Sequence, residues 1–465
     1  MTIARRLAER IHAVDYDALP AAAVAWAKIG ILDTVAVTLA GAPEACTRLT
    51  AQLPGIAEAD GPSHLFAMGR RASVLDAALI NGVASHALDF DDVNNQIGGH
   101  PSVPLVPALF AVADMTGGVG GRDAIAAYVA GFEAETQIGV GVHYHHYNKG
   151  WHPTATLGIF GTVCVTARLL GLGVDETAEA LGLATSLASG VKANFGTMTK
   201  PLHIGHSLRN GVMAALLVRD GFTANAGAFE HKQGFLEVFN GAGTYDVDRV
   251  FDGWGAPWNV TDPGPSLKAY PCCGSTHGAI DCALEIRGQD GFDAAAVAAV
   301  EMLTDPKRLP HTDNPDPQSG LEAKFSVHYV VARALLDGAV RLGHFEDRAY
   351  DEAAVRALMA KVTTGAHPDM QDPDADTYGA EVTVVMNDGR RLRHRADGAV
   401  LRGPARPMSD AELSAKFDDC AARALPAETG RAVFERLSQL QAETDISEIS
   451  ALCAGKARSG LHAAE

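Results

Sequence analysis

From Pro20 to about Gly221 the apolar residues of this chain recur at helical spacing, with almost no alternation of the kind a strand requires. Ile31, Val35 and Leu39 step by four, as do Leu208, Val212 and Leu216, so each trio falls on one helix face. Start signals agree: Ser73 has Asp76 three residues on, Ser102 has Pro104 in a first turn, and Asp175 opens a further helix. Gly41, Gly190 and Gly221 fit as stops. A run of this kind must bury its apolar stripes by packing helix on helix. Its most apolar part, AAAVAWAKIGILDTVAVTLAG, is interrupted by Lys28 and Asp33, which predicts a core helix and not a membrane span.

The texture changes at TDPGP, residues 261–265, a Pro/Gly breaker cluster. Beyond it, helical segments such as GSTHGAIDCALEIR mix with strand-like ones. The clearest is AEVTVVMNDGRRLRHRA, whose alternating arms flank Asn387, Asp388 and Gly389, a hairpin signal. After Pro407 helix returns. At 465 residues the chain exceeds the size at which one core stops growing. The reading is a large all-α helical domain, residues 1–262 and 405–465, with a smaller inserted α+β lid domain, residues 263–404.

Composition narrows the partners. A formal charge of −18 makes nucleic acid a poor partner, although a small anion can bind where bases converge. The seven cysteines follow no framework spacing, as expected of reduced thiols. MTIARRLAERIHAVDYDALP carries charges throughout and lacks a signal-peptide core. A cytoplasmic protein with no membrane association is expected.

Four stretches gather the reactive side chains. HALDFDDVNNQIGGHPS supplies Asp89, Asp91, Asp92 and His100, though three clustered carboxylates can equally well solvate a helix end. GVHYHHYNKGWHPTATLG supplies His143, Tyr144, His145, His146, Tyr147 and His152; MTKPLHIGHSLRNG supplies Lys200, His203, His206 and Arg209. SLKAYPCCGSTHGAIDC supplies Lys268, Cys272, Cys273 and His277. The histidine and cysteine spacings do not match a zinc site, so no metal is expected. No phosphate-binding glycine loop or hydrolase elbow occurs, and GGVGGR is only a turn between helices. What remains is acid-base chemistry without a cofactor: proton transfer beside a carboxylate, with Lys and His available to stabilise the charge that develops on the substrate.

The same stretches resemble the MmgE/PrpD family, which includes 2-methylcitrate dehydratase, cis-aconitate decarboxylase and iminodisuccinate epimerase. The resemblance runs from about Leu7 to Cys453 and rests on ALDFDD followed by HPS, GWHPTATLGIFG, TKPLHIGHSLRNG, LKAYPCCGSTH and KFSVHYVVARALLDG. It implies a helical domain paired with an α+β lid, a homodimer, a small di- or tricarboxylate substrate, and no metal or cofactor. By motif, Asp89 and His100 match acid-base positions, His152 the histidine of GWHP, and Lys200 a donor to a substrate carboxylate. Lys268 matches the lysine ahead of the YP turn and Tyr329 the tyrosine of the HYV helix. His203 joins Lys200 as a substrate-binding candidate, while His206 and Arg209 fit packing or pairing.

Two positions depart from the pattern. Val93 stands where the dehydratases and the decarboxylase carry Thr, and Cys273 where the decarboxylase carries His. With candidates on both the body (His100, His152, Tyr144) and the lid (Lys268, Cys273, Tyr329), two proton carriers on opposite faces are available. The reading leans to epimerisation of an amino- or iminodicarboxylate such as iminodisuccinate. A dehydratase, a cis-aconitate-type decarboxylase and an inactive carboxylate-binding protein are the alternatives.

Overall fold

The computed structural model describes residues 1–372, 378–398 and 400–455. The chain forms two compact units: Met1–Leu267 with the chain from Leu413 onward, and Lys268–Glu412. Just over half of the residues, 53%, are helical, with a small mixed sheet beside them.

Among its described residues, the strands of the first unit are a short pairing of Ser63–Leu65 with Arg70–Ala72, which the helical periodicity did not announce; its other regular elements are helices. Its centre is the crossing of helix Val74–His86 with helix Thr199–Arg219. Two glycines permit that crossing. A Cβ on Gly82 would lie 2.9 Å from the Gly205 Cα, and one on Gly205 would lie 2.3 Å from the Leu79 carbonyl oxygen. Backbone meets backbone, so the C-terminal turn of one helix, ending in His86, is held against the first turns of the other. Leu79, Ile80, Val83, Ile204, Leu208 and Val212 close the crossing with buried apolar surface, each side chain contributing roughly 1.5–3 kcal/mol.

Helix Ala21–Gly41 and the apolar run Pro153–Leu170 are long and apolar enough to cross a membrane, yet both are mostly buried within the fold. As the interrupting charges predict, the first is a core helix, and its Asp33 is buried. Two start and stop signals turn out otherwise. Ser102 begins no helix: the next one runs Val106–Thr116, and the Ser102 hydroxyl donates to Asp92 instead. Gly190 ends no helix either; its carbonyl accepts the His152 N–H at 3.0 Å.

In the second unit the sheet order is Val362–Ala366, Val297–Thr304, Ala380–Met386, Arg391–Ala396. The first pair is parallel and the others antiparallel. The expected hairpin is there, with Gly389 at φ +87 in its turn. Helices His277–Arg287 and Val327–Asp337 pack their apolar faces on this sheet.

The units part at Leu267/Lys268 and Glu412/Leu413, later than the sequence texture suggests. Polar ties explain the shift. Asn94 donates to the Gly264 carbonyl, and Val93 bridges Ser266, which hold residues 263–267 in the first unit. Arg402 forks onto Asp281 while Arg406 pairs with the same carboxylate, holding the stretch after residue 404 in the second.

Candidate active site

Helix Val74–His86 ends at a loop that turns sharply. Asp89 has φ +54, an uncommon conformation for a residue with a side chain. This turn sends Asp89 and Asp91 in different directions. Asp89 remains partly exposed and accepts a hydrogen bond from Lys200 Nζ at 2.8 Å. Asp91 points inward and is fully buried, where its Oδ2 lies 2.7 Å from His86 Nδ1 and 2.9 Å from His100 Nδ1.

One carboxylate oxygen therefore orients two imidazoles. Asp91 Oδ2 is hydrogen-bonded to His86 Nδ1, and His100 Nδ1 lies beside the same oxygen as an ion-pair contact. His100 Nε2 faces Asp89 Oδ1 at 3.7 Å, so His100 and Lys200 converge on the same oxygen. Burial would raise the Asp91 carboxyl, but His100 and His86 beside it hold it well below the usual carboxylate range. Burial pushes His86 down to about 4 against the pull of Asp91, so its ring is neutral near pH 7.

His152 completes the group. It precedes the short helix Pro153–Thr156 and is buried. Its ring stacks on His86 at 5.5 Å, meets the Phe195 edge at 4.8 Å, and lies 3.2 Å from His203 Nδ1 through its own Nδ1. Burial, then the cations and imidazoles around it, push His152 well below its ordinary value. Gly190 makes the close approach possible, at φ +131, because a Cβ there would lie 3.3 Å from the His203 ring.

The structure thus brings together Asp89, His100, His152, Lys200 and His203 within the first unit. It adds His86, Asp91 and Phe195, which the motif reading had not assigned. For Asp91 and Asp92 the helix-end solvation alternative fails: both are buried, and Asp92 is bonded to Ser102. A signal was present in the first loop, where His86 and Asp91 sit five residues apart around a helix end.

Tyr144 is exposed near a break in helix Gly121–Asn148, where His143 has φ +54; an added Cβ on Gly98 would lie 3.5 Å from the Tyr144 ring. His146 is structural, bridging Asn240 and Thr156. His206 is held by Asn210 on its own helix, and Arg209 reaches Asp76 at 3.9 Å. Lys268, Cys273 and Tyr329 belong to the second unit. There Lys268 is buried, and Cys273 is half-buried with its N–H on the Lys324 carbonyl. The Tyr329 hydroxyl donates to the His344 carbonyl and accepts from Arg333 Nε.

His86, Asp91 and His100 have the donor types of a metal site. Tetrahedral zinc with bonds near 2.0–2.1 Å separates its donors by roughly 3.3 Å, whereas His86 Nδ1 and His100 Nδ1 lie 2.7 and 2.9 Å from Asp91 Oδ2, closer than two ligands of one zinc sit. Imidazoles, a lysine and carboxylates are the groups that acid-base chemistry uses, and the chain is an enzyme. It belongs to the MmgE/PrpD family: residues 5–248 match the MmgE/PrpD N-terminal domain and residues 270–440 the MmgE/PrpD C-terminal domain.

Among its relatives, the cis-aconitate decarboxylase of Homo sapiens is 27% identical over 466 residues, covering 98% of this chain and 95% of the relative. The cis-aconitate decarboxylase-like protein oryM of Aspergillus oryzae is 29% identical, covering 94% of each chain. The 2-methylcitrate dehydratase of Cupriavidus necator is 26% identical over 276 residues, 52% of this chain and 54% of its own. These relatives are named as decarboxylases and a dehydratase, so they support the lyase alternatives better than the epimerase reading, for which they give no evidence.

Proposed function

We propose that this enzyme is a lyase that works on a small di- or tricarboxylate by moving one proton at the carbon next to a carboxylate. Decarboxylation of a cis-aconitate-like substrate is the first reading and dehydration of a hydroxy polycarboxylate the second. One observation carries the proposal: His100 Nε2 and Lys200 Nζ converge on Asp89 Oδ1, while His100 Nδ1 is tied to the buried Asp91.

In the decarboxylation, the carbon–carbon bond to one carboxylate breaks and carbon dioxide leaves. The electron pair moves into the carbon skeleton, and a proton from a side chain closes the new C–H bond. In the dehydration, a base takes the proton beside the carboxylate and an acid protonates the departing hydroxyl. Lys200 supplies positive charge for the developing enediolate, and the neutral imidazoles of His86 and His152 let the site hold that charge away from water. Relatives matching nearly the whole chain are named decarboxylases, and this supports the first reading. The missing hydroxyl at Val93 leaves room for a substrate other than cis-aconitate itself. A cytoplasmic homodimer that needs no metal or cofactor completes the proposal.

A panel of di- and tricarboxylates, including cis-aconitate and 2-methylcitrate, incubated in deuterium oxide and followed by NMR separates the outcomes. Carbon dioxide release with one deuterium in the product supports decarboxylation, and loss of hydroxyl with a new double bond supports dehydration. Deuterium uptake with neither release would overturn both and restore epimerisation. Binding without any conversion would leave a carboxylate-binding protein.

A further inference from the structure

Asp33 is a charge in the middle of an apolar core helix, and the proton chemistry described above does not use it. The structure shows what it faces. Asp33 Oδ1 is 2.5 Å from Lys416 Nζ, and both side chains are almost wholly buried, at 2% exposure each. Lys416 lies on helix Asp410–Ala421, reached only after the chain has built the second unit and returned. From there its ammonium donates to the Phe90 carbonyl at 3.1 Å, across 326 residues of sequence, and lies 4.1 Å above the Phe90 ring.

Phe90 is the residue between Asp89 and Asp91. Its carbonyl belongs to the peptide that leads into Asp91, directly after the positive-φ turn at Asp89. Rotating that peptide would swing Asp91 away from His86 and His100 and turn Asp89 away from Lys200. A carbonyl in an apolar interior takes whatever donor is offered, and a charged donor holds it most firmly. Asp33 pairs with that donor and fixes its direction.

We propose that Lys416, fixed by Asp33, is a positioning residue for the catalytic loop: it holds the Phe90 carbonyl and so sets the directions of Asp89 and Asp91. The inference rests on reading those two carboxylates as site residues, and it concerns their geometry whatever the substrate.

The test uses the full-length protein with ¹⁵N-labelled histidine, comparing Lys416→Met and Lys416→Arg with wild type. Lys416→Met is expected to shift the ring-nitrogen resonances of His86 and His100 while those of His328 and His367, in the second unit, stay in place. Lys416→Arg is expected to bring them back toward wild type. With a substrate in hand, Lys416→Met should lower kcat by about 10- to 100-fold with KM nearly unchanged, and Lys416→Arg should recover most of it. If the wild type converts none of the polycarboxylates, the proposed function fails, but the resonances still decide this inference. Should Lys416→Met not fold, the double variant Asp33→Leu/Lys416→Met removes both buried charges and takes the same readings. Unchanged His86 and His100 resonances in a folded variant, or a kcat equal to wild type, would overturn the proposal.

Discussion

Lys200 Nζ lies 2.8 Å from Asp89 Oδ1, so the only lysine of the TKP motif is bonded to a carboxylate whose own backbone occupies the left-handed region. The pair is partly exposed, and a substrate carboxylate could take the place of Asp89 on the lysine without uncovering a buried charge.

Replacing the lysine tests that pairing. Lys200→Met should lower kcat/KM by roughly 10- to 150-fold, the equivalent of about 1.5–3 kcal/mol for a charge-assisted hydrogen bond. Stability should change by less than about 1 kcal/mol, because a partly exposed ion pair contributes little. Steady-state kinetics and urea unfolding measure the two; a large loss of stability would place Lys200 in the scaffold.

Asp91→Asn should be far more damaging to turnover. The neutral amide removes the carboxylate's charge and replaces one acceptor oxygen by a donor NH2, and an imidazole that faces the NH2 must present Nδ1 as an acceptor and so change tautomer. By comparison with the aspartate-to-asparagine exchange of a catalytic triad, a loss on the order of 10³- to 10⁴-fold in kcat is expected. ¹⁵N spectra should report the tautomer change at His86 or His100, and retention of both Nδ1–H forms would argue against the assignment.

Asp92 makes a pH prediction. Burial raises its carboxyl to about 8 despite hydrogen bonds from Ser102. A raised folded value means that the folded state holds a proton the unfolded chain has released. The stabilisation is complete below the unfolded value of roughly 3.9 and is lost as pH rises through 8. Asn fits the same bonds without titrating, so Asp92→Asn should gain on wild type between pH 5 and 9 in thermal melts. A difference that does not vary with pH would contradict the assignment.

His203 and His206 are three residues apart on one helix and should behave differently. His203 touches His152, whereas His206 is tied to Asn210. Gln at position 203 should cost at least about tenfold in kcat/KM, and His206→Gln should remain within about threefold of wild type. Comparable losses in both, measured in parallel assays, would assign the effect to helix packing.

Much of this was legible in the chain itself. Spacing of four at Ile31, Val35 and Leu39 sufficed for a helix, because burial of one stripe is a local demand that any neighbour can satisfy. The Asn387-Asp388-Gly389 hairpin was legible for the same kind of reason, since its turn needs a positive φ that Gly389 supplies. The motifs also singled out Asp89, His100, His152 and Lys200, and these come together. The Tyr329 motif does not reveal that Arg333, one helical turn on, donates to its hydroxyl.

What the amino-acid order determined, then, was where the chain would coil, where it would turn, and which side chains had the chemistry for proton transfer. Which of them would meet was decided in three dimensions. Asp91 became the anchor of two imidazoles, Lys200 reached Asp89 from a helix that crosses Val74–His86 where glycines let the backbones touch, and Lys416 met Phe90 across 326 residues of sequence. Hydrogen bonding and charge act over a few ångströms of space, and separation along the sequence carries almost no information about that distance.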